Sequence, residues 1–168
     1  MIKRSIFLII LSIYFYSTMS AFAQDNSSNI HFICPVDSGK IISTFGKRNH
    51  PVYKIMKRHD GIDIKANSGA NIYSTAQGIV VFSGIKGGYG KSIIIEHAEG
   101  YSTFYAHLKK IFVKESQKIK AGEVIGLLGN SGISSIPHLH YEIRINNKAI
   151  NPEGYLNCGN KVKKAISR

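Results

Sequence analysis

The chain has 168 residues and a formal net charge of +12, from 22 lysines and arginines against 10 aspartates and glutamates. That length supports one domain with its own core and is too short for two ordinary domains. No RNA- or DNA-binding motif accompanies the positive charge, which argues against a nucleic-acid binder. The two cysteines stand outside any C-x-x-C pair, which argues against a cysteine-held metal.

The opening "MIKRSIFLIILSIYFYSTMSAFAQ" combines Lys3 and Arg4, an apolar run from Ile6 to Tyr16 and the small-residue signature Ala21-Phe22-Ala23. It reads as a signal peptide over residues 1–23, cleaved before Gln24. The apolar run is shorter than the ~20 residues of a spanning helix. No cysteine lies at the cleavage point to carry a lipid. The mature chain is therefore expected to be exported, periplasmic or secreted, without a stable membrane anchor. A basic exported chain meets the anionic polymers of a cell envelope. Residues 24–31 form a polar leader, 32–156 the folded region and 157–168 a basic tail, in which Lys161, Lys163, Lys164 and Arg168 point to unstructured chain. Cys34 and Cys158 bracket the folded region. In an oxidising compartment they are expected to form one disulfide, the alternative being two buried thiols.

From Cys34 onward, short β-rich runs alternate with glycine turns: "KIISTFG", "GIVVFSG", "KSIIIEH", "STFYAHL", "EVIGLLG" and "LHYEIRI". Period-2 alternation with turn signals about every ten residues predicts an all-β sandwich or barrel. "KGGYGK" and Asn146-Asn147 read as turns between paired strands, and no segment offers a capped amphipathic helix.

Three places carry titratable side chains in suggestive register. In "RHDGIDIKA", His59 and Asp63 are four apart, a spacing that puts both on one face of a helix or of a strand; Gly61 with the flanking isoleucines argues for an extended segment after a turn, and either way both can point at one spot. In "STFYAHLKK", His107 alternates in phase with Thr103 and Tyr105. In "PHLHYEIR", His138, His140, Glu142 and Arg144 share one strand face, while Leu139, Tyr141 and Ile143 share the other. Each place alone also reads as an exposed polar strand or turn. Together they offer two imidazoles and a carboxylate, the ligand count of a catalytic zinc site with one position open. Two further histidines remain to move protons or steady charge. The helical H-E-x-x-H of commoner metalloproteases is absent.

The stretches "RNHPVYKIMKRHDGIDIKA", "GGYGKSIIIEHAEGYSTFYAHL" and "GEVIGLLGNSGISSIPHLHYEIR" together resemble the M23 family of peptidoglycan endopeptidases, the lysostaphin type, over about Phe32 to Leu156. The resemblance implies an antiparallel β fold with a groove over the sheet, closed by loops. It implies one zinc ion per chain held by His59, Asp63 and His140, with His107 and His138 as the catalytic pair. It implies peptidoglycan as partner and a cross-link peptide bond as substrate, D-alanyl-diaminopimelate in a Gram-negative envelope or glycyl-glycine in a wall with glycine bridges. Tyr53 corresponds to a groove tyrosine that helps hold the tetrahedral intermediate.

One departure is Ile136, where the family usually carries a small residue; a branched side chain resists φ > 0, so altered geometry is expected in "GISSIP". His31, His50 and His97 are assigned to surface or turn positions, with His50 at the groove entrance. Two other classes compete. One is a non-hydrolytic regulator that activates wall amidases, as some family members do after losing ligands. The other is a biotinyl or lipoyl carrier, suggested by "KIKAGEVIGLLG" around Lys120.

Overall fold

The computed structural model describes residues 30–49, 55–158 and 162–164. The expected signal peptide, the leader before residue 30, and His50 and Tyr53 lie outside the described residues. The strands are β1 (Phe32–Ile33), β2 (Gly39–Ser43), β3 (Gly46–Asn49), β4 (Met56–His59) and β5 (Ile62–Lys65). Next come β6 (Asn71–Tyr73), β7 (Gly78–Ile85), β8 (Lys91–Glu96), β9 (Tyr101–Ile111) and β10 (Lys118–Ile119). Then follow β11 (Val124–Leu128), β12 (Leu139–Ile145), β13 (Lys148–Ile150), β14 (Leu156–Asn157) and β15 (Val162–Lys164). Helix among the described residues is limited to three short 3-10 turns.

The main sheet runs β10-β7-β8-β9-β12-β5-β2-β15, with β11 bridging β6 and β9. Its pairs are antiparallel except β15 with β2, and a separate parallel pair joins β1 to β14. The hairpin β3–β4 stands apart from this sheet. The fold is thus the expected all-β, largely antiparallel one. Residues 162–164, read from sequence as unstructured tail, instead form a strand beside β2.

β12 shows why the sheet has two chemically different faces. Leu139, Tyr141 and Ile143 enter the hydrophobic core with Ile62, Ile64, Ile93 and Ile95, all 0% exposed. Burying each such side chain contributes about 1.5–3 kcal/mol. The core also holds two tyrosines whose hydroxyls are satisfied. Tyr105 and Tyr141 both bond Thr75 Oγ1, at 3.0 and 2.9 Å. His97 sits, half-buried, at the turn between β8 and β9, where it hydrogen-bonds the Gln77 carbonyl through Nδ1 and Thr103 Oγ1 through Nε2. The even-numbered side chains of β12 face away from this core; His140 and Glu142 are buried too, while Arg144 is half-buried.

Two local features aim side chains into a groove. Gly61, in the turn between β4 and β5, passes so close to β12 that a Cβ there would collide with the Tyr141 carbonyl. Only glycine lets the turn lie flat and bring His59 over the sheet. The second feature is a bulge in β9. Its register slips against both β8 and β11 beside Leu108, and His107 takes φ +60. Such bulges re-aim a side chain. His107 is therefore out of phase with Tyr105, contrary to strict alternation: Tyr105 enters the core while His107 lines the groove.

Candidate metal centre

His59 ends β4, Asp63 lies in β5, and His140 is the direct cross-strand partner of Asp63 on β12. His59 Nε2 and His140 Nδ1 lie 3.1 and 3.0 Å from Asp63 Oδ1 and 3.0 Å from each other. The remaining ring nitrogens point outward. His59 Nδ1–H donates to the Thr44 carbonyl at 2.8 Å, and His140 Nε2–H donates to Glu142 Oε1 at 2.8 Å. Glu142, fully buried, is held in turn by Arg144, whose Nε and Nη2 donate to Oε2 at 2.7 and 2.6 Å. Arg48 Nη2 takes the other Asp63 oxygen at 3.0 Å, leaving Oδ1 to the cluster.

With both N–H groups committed outward, three lone pairs converge on one buried point. Acceptors at 3 Å repel unless positive charge sits among them. Protons can supply it: burial pushes the His140 imidazolium down, but hydrogen bonds with Asp63 and Glu142 prevail and leave its pKa raised. Burial likewise pushes the Asp63 carboxyl up, but hydrogen bonds to His140 and His59 hold it well below the usual carboxylate range. A metal cation answers the same demand. Two imidazoles and a carboxylate, with ring N–H groups anchored to a carbonyl and a carboxylate, fit zinc in ligand type and in outer support. His59, Asp63 and His140 could hold such an ion.

The other two expected residues flank this cluster. The His138 and His107 ring centroids are 4.7 Å apart, and His138 Nε2 is 3.6 Å from Asp63 Oδ1. Backbone carbonyls fix their tautomers. His107 Nδ1–H donates to Ser131 O and His138 Nδ1–H to Ile136 O, each at 2.8 Å. Each Nε2 therefore carries a lone pair. Burial, with the nearby His138 and His140 rings, outweighs the Ser131 hydrogen bond and holds the His107 pKa down to about 4. Ile136 keeps a negative φ, so its branched side chain is no obstacle and its carbonyl is available to His138. Cys34 and Cys158 form a disulfide remote from this cluster, joining the segments around β1 and β14.

The cluster opens into a groove of about 360 Å³ whose lining includes Arg48, Lys57 and Arg58 together with Gly88, Tyr89 and Ile133. Arg48, Tyr89 and the Glu142–Arg144 anchor have no part in the sequence-derived ligand set. Glu142 and Arg144 were visible as the even face of β12. Arg48 meets Asp63 across 15 residues of chain, beyond any periodic signal.

The model of peptidase family M23 matches residues 57–152, more than half of the chain. The DD-carboxypeptidase/endopeptidase Mpg of Neisseria meningitidis is 44% identical over 118 residues, 70% of this chain and 27% of that protein. The murein hydrolase activator NlpD of Escherichia coli is 42% identical over 119 residues, 70% of this chain and 29% of that protein. The crystal structure of a zinc-containing peptidase from Vibrio cholerae superposes with a TM-score of 0.67 and 38% identity, over 72% of this chain and 39% of the other. The chain thus spans less than a third of the length of these two curated relatives.

Proposed function

This chain belongs to peptidase family M23, and from that premise we propose that it is an exported zinc endopeptidase that hydrolyses peptide cross-links of bacterial peptidoglycan. One observation carries the reading: three buried acceptor atoms converge beside two imidazoles that each keep a lone pair on Nε2. A zinc ion there would supply Lewis acidity, lowering the pKa of water to about 7 and polarising a carbonyl.

The chain's own residues do the rest. His59, Asp63 and His140 would hold the ion, one per chain, and Glu142 and Arg48 keep their donor atoms aimed. His107, neutral at physiological pH, accepts a proton at Nε2 as attack proceeds and returns it to the leaving amine. His138, beside it, is the second of the pair flanking the reacting carbonyl. The groove's lining by Arg48, Lys57 and Arg58 suits an anionic polymer. Among cross-links, D-alanyl-diaminopimelate is the assigned bond, in keeping with the similarity to Mpg.

The deciding experiment is a muropeptide digest. The zinc-loaded chain is expected to convert cross-linked dimers to monomers, read by mass spectrometry, and chelation is expected to stop it. The similarity to NlpD favours a second reading, an activator of wall amidases. Absence of cleavage by a folded, zinc-loaded chain, with stimulation of an added amidase, would select that reading.

A further inference from the structure

"KGGYGK" reads in sequence as a turn and nothing more, yet the structure places its aromatic residue on the groove wall. Gly87–Tyr89 forms a single 3-10 turn whose ends are tied by Lys86 N–H to Gly90 O at 2.9 Å and Tyr89 N–H to Lys86 O at 3.0 Å. Ile133 N–H donates to Gly88 O at 2.7 Å, fastening the turn to the loop that orients His107. Gly90, at φ +66, leaves no room for a Cβ against Ser131, so the two segments fit only with glycine there. The Tyr89 ring is wedged edge-on against Phe104 at 4.9 Å and lies 5.3 Å from the His140 ring.

The hydroxyl at the end of this fixed ring makes no hydrogen bond among the described residues. That contrasts with Tyr105 and Tyr141, whose buried hydroxyls are both bonded to Thr75. The acceptors nearest Tyr89 in charge are already engaged: Glu142 by His140 and Arg144, Asp60 by Arg58 at 2.9 Å. A half-buried phenol that is held in place by its packing and has no partner among the described residues is a donor open to a ligand. A backbone carbonyl oxygen, the commonest acceptor of a peptide, suits such a donor.

We propose that Tyr89 is a substrate-binding residue whose phenol donates a hydrogen bond to a backbone carbonyl oxygen of the peptide lying in the groove. This rests on the groove being a peptide site, as the proposed function requires. The conservative variant Tyr89→Phe keeps the ring packed on Phe104 and His140 and removes only the donor. Zinc-loaded wild type and Tyr89→Phe would be titrated with a soluble disaccharide tetrapeptide and assayed in parallel on cross-linked dimers. Loss of the donor is expected to weaken tetrapeptide binding about three- to tenfold, to lower turnover of the dimer at least as much, and to leave zinc content and melting temperature unchanged.

Equal tetrapeptide affinity for the two proteins overturns the assignment. If wild type binds the tetrapeptide but cleaves no dimer, the hydrolase reading fails while the affinity ratio still decides the role of Tyr89. If it neither binds nor cleaves, both fall.

Discussion

Glu142 determines which nitrogen of His140 faces the cluster. Because its carboxylate accepts Nε2–H while Arg144 fills its other oxygen, Nδ1 has no alternative to the point shared with His59 and Asp63. Replacing it by glutamine puts an N–H₂ group where one of these two donors now binds. Glu142→Gln is expected to weaken zinc binding about 10–100-fold, measured by competition with a chromogenic chelator. Removing a ligand is more drastic: His140→Ala is expected to lose zinc and activity together. His107→Ala is expected to retain zinc and lose on the order of 10²–10⁴ in turnover. Zinc loss from His107→Ala would place that residue among the ligands instead.

The bulge in β9 carries a cost that a stability experiment can read. A histidine at φ +60 is strained relative to ordinary extended backbone, by about 1–2 kcal/mol, and asparagine tolerates that region better. His107→Asn is therefore expected to melt no lower than wild type while being catalytically impaired. Acid should separate the two further. Burial holds His107 to about pKa 4 when folded, against ~6.5 when unfolded. Below pH 6.5 the unfolded chain binds a proton that the folded chain refuses, so stability falls from pH 6.5 towards 4. In chelated protein that slope should be shallower for His107→Asn, as followed by urea unfolding across this range. The bulge also marks the limit of legibility in the sequence. His138 and His140 share a face through local period-2 geometry, and His59 and Asp63 are brought together by the short turn at Gly61; both are local signals that the residues alone suggest. His107 enters the groove only because the period breaks, and "STFYAHL" gives no sign of that break. Tyr89 and Arg48 reach the site through a turn and a detached hairpin, whose placement depends on contacts far along the chain.

Across the whole molecule, the β class and most strand positions are legible because alternation and glycine turns are local signals. The strand order is not, since β9 pairs with β12 and β12 with β5 through contacts distant in sequence. The Cys34–Cys158 bond spans 124 residues of sequence and encloses every residue assigned to the metal cluster. Closing so long a loop restrains the unfolded chain by an amount typically worth about 2–4 kcal/mol. Cys34→Ser with Cys158→Ser should lower the melting temperature accordingly, while zinc affinity per folded molecule stays the same.

That bond also sets how the domain answers tension. A pull applied through the two ends of the chain first peels β15, which lies beyond residue 158, from β2, and then runs from residue 34 to residue 158 along a covalent shortcut, so the strands enclosed between them are not drawn out. Stretched by its ends in a single-molecule trap, the oxidised chain should show no extension from the enclosed segment. After reduction, the same pull should release roughly 400 Å of contour length as those 124 residues are drawn out.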